Sequence, residues 1–288
     1  MQPHSTTAAP ALDAGRPITR IVMPSIDGML HDRTTTLGVR LAEAWGCDVE
    51  LVHVTPSIAS VDPVLDHLAE QAQSVHPDLK VQATHLYGDD PAAAVADHVG
   101  AGALVVMATE HIDAWRVKDS VAEKLLDRIG GPVLLIGPNV NISRIREVGL
   151  HGEVVLGVDG SAAAEAGVAP ALALAKAVGY RLWLARVVPD PEPGDPFHPE
   201  IASRLQTLAE EGSHEIATRW EVLQDNDPVD ALEALAQRRD AAVLVVSRRR
   251  RTSSDRPSMA SISAGLVATS ARPVLVLSAP DVPAVEAG

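Results

Sequence analysis

From Ile18 onward, short apolar runs alternate with longer amphipathic stretches. The runs ITRIVM, VELVHV, KVQATHL, ALVVMA and PVLLI predict strands in the first half of the chain. Between them, apolar positions at helical spacing predict helices over roughly residues 33–45, 62–74 and 120–129, with a further helix opening at Asp90-Pro91. The series then restarts. EVVLGVDG, RLWLARVV, WEVLQ, AVLVV and PVLVL read as strands, and residues 162–178 and 201–217 as helices. One more helix opens at Asp227-Pro228 and another near Ser258. Strands that alternate with helices need crossover connections, and crossovers produce parallel sheets. The expected fold is α/β, with two similar five-stranded parallel-sheet domains.

The halves share landmarks as well as order. Asp90-Pro91 answers Asp227-Pro228, Leu104-Val105-Val106 answers Leu244-Val245-Val246, and Pro132-Val133-Leu134 answers Pro273-Val274-Leu275. A repeat of about 140 residues is too long for a solenoid unit and suits a tandem of domains. Residues 137–153, rich in Gly, Pro and Asn, interrupt the pattern and read as the connection. The expected organisation is an unstructured N-terminal tail (1–16), a first domain (17–140), a linker (141–151), a second domain (152–280) and a C-terminal tail (281–288).

Composition narrows the function classes. Apolar residues make up 46% of the 288 and aromatics only 2%, so the cores must be Val, Leu, Ile and Ala. A net charge of −14 argues against a general nucleic-acid or anionic-membrane binder, because the negative field repels phosphate at long range. Cys47 is the lone cysteine, so no intramolecular disulfide forms, and a reducing compartment fits. The N-terminal stretch lacks the charged start and apolar core of a signal peptide, and no run approaches membrane-spanning length; the expectation is a cytoplasmic protein. GxSxG, HExxH and GxxxxGK[ST] are absent, and the histidines show no metal-site spacing, so neither catalytic nor metal-binding residues are expected.

Five strands alternating with four helices, a first strand ending Val158-Asp159-Gly160-Ser161, and a fourth strand feeding a long loop that ends in Ala260-Ser261 before a helix resemble the universal stress protein family. The likeness covers both halves. It implies a doubly wound, Rossmann-like fold of the adenine nucleotide alpha hydrolase-like type in each half and a regulatory or protective role in the stress response. Many members bind ATP through a loop of pattern G, two residues, G, nine residues, G, then Ser or Thr. In the second half Ser247, Arg250 and Ala260 stand at the three glycine positions and Ser261 at the Ser/Thr position. In the first half Met107, Glu110 and Asp119 are the nearest matches, followed by Ser120, with the loop one residue short.

Glycine matters there because it allows positive φ and lets backbone N–H groups approach a phosphate. In its place, residues 247–261 carry Arg248, Arg249, Arg250, Arg251 and Arg256 against Asp255, a local charge of +4. Guanidinium groups suit phosphate oxygens, and the following helix start adds N–H groups and a positive dipole end. The other reading of this run is a solvated loop, or one that docks on an acidic partner surface.

The resemblance implies a second-half nucleotide site at Asp159, Gly160, Ser161, Val187, Ser247, Arg248, Arg250, Ser258, Ala260, Ser261 and Ile262, with Asp159 beside the base and ribose. Asp159 and Ser161 read equally as an ordinary helix N-cap. The degenerate first-half site comprises Asp27, Thr109 and Ser120, with Glu110, Asp113 and Asp119 repelling a triphosphate. The expected ligand is ATP with magnesium, or none, and a weak ATPase stands as a third reading. The expected partners are a pseudo-dimer of the two halves through the proline-led strands, a homodimer of chains, and otherwise unidentified proteins. The alternative function is a nucleotide-free dimerising interaction module.

Overall fold

The computed structural model describes residues 12, 17–25, 32–56, 64–109, 121–148, 150, 152–191, 199–212, 216–249 and 262–279. The apolar runs form β1 (Arg20–Ser25), β2 (Asp48–Thr55), β3 (Val81–Tyr87), β4 (Ala103–Ala108) and β5 (Val133–Ile136). Between them lie α1 (Asp32–Trp45), α2 (Val64–Val75), α3 (Pro91–His98) and α4 (Val121–Arg128); α5 (Ile142–Val148) follows. The second series comprises β6 (Val154–Gly157), α6 (Ala162–Ala166), α7 (Val168–Ala177), β7 (Leu182–Val188), α8 (Pro199–Gly212) and β8 (Thr218–Gln224). It ends with α9 (Pro228–Arg238), β9 (Val243–Arg249), α10 (Ile262–Thr269) and β10 (Val274–Ala279). The paired Asp-Pro landmarks are helix starts. Asp90 accepts from the N–H groups of Ala92 and Ala93, and Asp227 from those of Val229 and Asp230, each with proline in the first turn.

All ten strands join one sheet, ordered β3-β2-β1-β4-β5-β10-β9-β6-β7-β8. Every neighbouring pair is parallel except β5 and β10, which run antiparallel with Leu134 opposite Leu275. The proline-led strands, each an edge of its own half, therefore meet at the sheet's centre. Helices cover both faces. On one face Leu37, Ile145, Leu174 and Leu205 pack over strand residues such as Met23 and Val245. On the other Val95, Leu125, Leu235 and Leu266 pack over Val105 and Leu244.

Several boundaries differ from the sequence expectation. Residues 137–153 are not an irregular connection throughout: Asn141 Oδ1 accepts from Arg144 N (3.1 Å), and Ile142 and Ile145, three apart, turn α5 onto the core. Arg146 then pairs with Asp32 at 2.6 Å, tying α5 to α1. Leu12 lies within the stretch expected to be an unstructured tail, yet it is buried in the core at 3% exposure. The helix expected over 162–178 breaks at Gly167, and the one expected to reach 217 stops at Gly212. The fourth strand of the second half runs to Arg249, so Ser247 and Arg248 belong to the strand and not to a loop.

Register also corrects the repeat by one residue. Val105 lies opposite Val133 and Leu244 opposite Val274, so Val105 answers Leu244 and Ala108 answers Ser247. By the same logic His53 answers Arg186, and Glu50 answers Trp183. Cys47 is buried, its Sγ donates to the Ile18 carbonyl at 3.2 Å, and burial together with the Asp48 charge pushes the thiol up to about 11. It is an unreactive core residue at neutral pH.

Glu50 is a buried acid of the core, its side chain 2% exposed. Arg20 lies 2.9 Å from one oxygen, while Thr84 Oγ1 (2.6 Å) and His98 Nε2 (2.8 Å) lie against the other. Burial pushes this carboxyl up, but those hydrogen bonds and the Arg20 charge more than offset it, leaving it below its ordinary 4.5. Trp183, at the corresponding place in the second half, carries Arg239 stacked 3.6 Å over its ring. A depressed carboxyl contributes stability above its unfolded pKa and loses it as pH falls through the folded value. Glu50→Gln should therefore lose about 2 kcal/mol at pH 7, less than a fully buried pair because Arg20 and His98 are partly exposed. The wild-type and mutant curves should converge as pH drops below 4.5. Urea unfolding between pH 3 and 7 checks this, and a constant gap contradicts it.

Candidate ligand site at the second-half switch point

In the second half the strand order reverses between β6 and β9, so the helices that follow them leave toward opposite faces. The crevice at their carboxyl ends is a cavity of about 290 Å³, at the lower end of the range for small-molecule sites (~300–1,000 Å³). Ala185, Val187, Leu232 and Val246 give it apolar walls, while Asp159, Arg186, Ser247 and Arg248 supply polar groups. Ile262 and Ser263, at the start of α10, close one side.

Local geometry follows from the chain at the end of β6. Gly160 takes φ +80, a conformation that favours glycine, and a Cβ there would stand 2.4 Å from Arg186 Nη1. The turn therefore lets Arg186 lie close over the backbone beside Asp159. Asp159 Oδ1 accepts from Ser161 N (2.9 Å), and Ser161 Oγ accepts from Ala164 N (3.2 Å), so Ser161 is the N-cap of α6. Burial pushes the Asp159 carboxyl up, but hydrogen bonds from Ser161 and the Arg186 charge outweigh it and hold the group below its ordinary value. Asp159 is an anion at neutral pH.

The structure brings Asp159, Val187, Ser247, Arg248 and Ile262 around this one cavity. Gly160 and Ser161 shape the turn beneath it. Arg250, Ser258, Ala260 and Ser261 lie outside the described residues, as do Asp27 and Ser120 of the first half. Ser247 does not stand in for a loop glycine: its Oγ packs against Gly167, whose hypothetical Cβ would approach to 2.0 Å. That Oγ is buried without a hydrogen-bond partner among the described residues. Arg248 is not a free phosphate ligand, because its guanidinium is ion-paired with Asp127 of α4. Thr109 directly follows β4, donating its N–H to the Ile136 carbonyl at 2.9 Å. Beside it Thr34 Oγ1 accepts from Ala108 N, and Arg33 donates to the carbonyls of Gly137 and Pro138, so α1 side chains fill this corner of the first half.

Arg186 escaped the sequence reading. Its one signal was a cation near the end of the apolar strand RLWLARVV, at the position where the first half carries His53. Its Nε is buried and lacks a partner among the described residues, an atom left ready for an acceptor.

Residues 152–278 match the family model described as Universal stress protein family. A universal stress protein from Archaeoglobus fulgidus superposes over 91% of this chain and 97% of its own, with a TM-score of 0.62 at 16% identity. A Pseudomonas aeruginosa protein described as a universal stress protein gives 0.60 at 18% identity, covering 91% of this chain and 94% of its own. A functionally unknown protein from the same species gives 0.58 at 16% identity, covering 91% and 93%. These likenesses concern the fold. A comparison with curated proteins finds no match. No helix among the described residues is long and apolar enough to cross a membrane. The described residues contain no group of three or more His, Cys, Asp or Glu placed to hold a metal ion.

Gly160→Ala should lower stability by about 1–2 kcal/mol through the positive φ alone. The new Cβ should also push Arg186 off Asp159 and move the Asp159 titration upward, since a neighbouring cation is lost. Urea unfolding and carboxyl chemical shifts against pH measure the two effects; an unchanged midpoint would mean the turn is not strained by a side chain.

Proposed function

The chain belongs, through residues 152–278, to the universal stress protein family, and from that premise we propose a stress-response binding protein whose second-half cavity takes an adenine nucleotide. The observation that supports this most directly is the crevice at the β6/β9 switch point, where Asp159 with Arg186 beside it, and Arg248, line a cavity with apolar walls. Those walls suit a base. Asp159 accepts from ribose hydroxyls or an exocyclic amine, and the guanidinium groups provide paired donors for phosphate oxygens. Arg186 takes part of the work that backbone N–H groups do in a glycine loop. Magnesium would accompany a triphosphate as its counter-ion. The proposal is for binding without turnover, in the cytoplasm, with the first half acting as scaffold.

One observation favours the other reading, a nucleotide-free module that works through its surfaces. The charges around the cavity are already matched: Arg248 is paired with Asp127, and Arg186 stands beside Asp159. Such a cavity offers an anion little unpaired charge.

Calorimetry of purified protein with ATP and magnesium, after a check for co-purified nucleotide, separates the two readings. The expected result is one site per chain, with affinity falling as salt rises. Arg186→Ala should weaken binding more than tenfold, since a charge-assisted contact contributes about 1.5–3 kcal/mol. Absence of heat together with absence of co-purified nucleotide would favour the interaction module.

A further inference from the structure

Arg248, a cation on the fourth strand of the second half, is held by the first half. Arg248 lines the cavity on β9, yet its guanidinium is ion-paired with Asp127 near the end of α4. The two side chains are 18% and 31% exposed, shielded enough for the charge to count and open enough for a ligand to reach. The antiparallel seam explains the encounter. Because β5 and β10 run in opposite directions, the end of α4 lies where β9 and β10 emerge from the sheet. Ser278, near the end of β10, fixes it there by donating from Oγ to the Ile129 carbonyl at 3.1 Å.

The contact is built at one site and not at its symmetry mate. Through the register, Arg248 answers Thr109, and with Pro273 answering Pro132, α10 answers α4, so Asp127 answers Ala268. Neither Thr109 nor Ala268 carries a charge. An ion pair imposed by the fold alone would recur on both sides of the seam, and this one does not.

We infer that Asp127 is an internal anion that holds Arg248 until a polyanionic phosphate ligand displaces it. The inference rests on reading the cavity as an anion site, and it adds the identity of the group that restrains it. A guanidinium fork fits a carboxylate and a phosphate in the same manner, so binding exchanges one charge-assisted pair for another. In the wild-type protein Arg248 then adds little net affinity, and the Asp127 carboxylate repels phosphate from the same place. A di- or triphosphate wins that competition through its charge, whereas a monoanion does not. Occupation of the second-half cavity frees α4 from β9 and loosens the contact between the halves.

The experiment titrates wild-type protein and Asp127→Asn with ATP–magnesium and, separately, with inorganic tripolyphosphate. The asparagine variant should bind both about tenfold more tightly or better, because Arg248 is released to the ligand. Equal or weaker binding by the variant overturns the inference, while binding by the wild type would still uphold the nucleotide reading. Binding by the variant alone overturns the displacement, because no ligand then dislodges Asp127 in the wild type, and it defeats the nucleotide reading for the wild-type chain. Binding by neither protein defeats both. Asp127→Ser repeats the comparison if asparagine perturbs folding. Amide exchange on wild-type protein gives a second readout: ATP should raise exchange across residues 121–128, and ATP binding that leaves α4 unchanged overturns the displacement.

Discussion

The antiparallel pairing of β5 with β10 is the interaction on which the rest of this molecule depends. Each half alone would end in a short apolar strand whose outer N–H and C=O groups had no partner, an edge prone to uncontrolled pairing. Meeting along Val133–Val276, Leu134–Leu275 and Leu135–Val274, the two edges satisfy each other and make one ten-stranded sheet. The same pairing turns the carboxyl ends of the two half-sheets toward opposite sides. It also carries the last turn of α4 to the rim of the second-half cavity. Residues after β5 complete the seam, with the Asn139 amide donating to the carbonyls of Ala268 and Thr269 at the end of α10.

Around the cavity, close approach and charge are arranged differently from a glycine-rich phosphate loop. The glycines that matter sit opposite the strand that would carry the loop. Gly167 makes room for Ser247, and Gly160 for Arg186. Small residues on the β6 side thus let side chains from β9 and β7 come near the backbone, where a glycine loop would bring backbone near the ligand. The polar chemistry is carried by guanidinium groups, each with a carboxylate nearby, so the cavity stays close to neutral in a chain of net charge −14. The Glu50 cluster and the Trp183–Arg239 stack perform the corresponding balancing at the amino ends of β2 and β7.

Most of the fold was legible because its signals are local. Apolar runs led by Pro132 and Pro273, and helix starts at Asp90-Pro91 and Asp227-Pro228, each mark an element within a few residues. The α5 helix was missed because its flanking Gly, Pro and Asn read as a break, while its two core contacts, Ile142 and Ile145, are too few to make a periodic pattern. Ser247 and Arg248 were read as loop because they are polar; the pairing of Leu277 and Ser278 with them, which extends β9, is a contact between distant segments. The candidate site divides in the same manner. Asp159, Val187 and Ser247 are legible only through the family resemblance, whose pattern names them. Arg186 needed the conformation of Gly160, and Asp127 needed the seam, neither of which a run of letters displays.

The covalent link between the halves has an evolutionary side. In a pair of identical single-domain subunits, any substitution at this seam appears twice, so an arginine at one position and an aspartate at the other would be copied to both ends of the interface. Once the copies lie in one chain, Arg248, Asp127, Thr109 and Ala268 mutate independently. One chain can therefore carry an ion pair at one end of its seam and uncharged residues at the other, which a symmetric pair of subunits cannot.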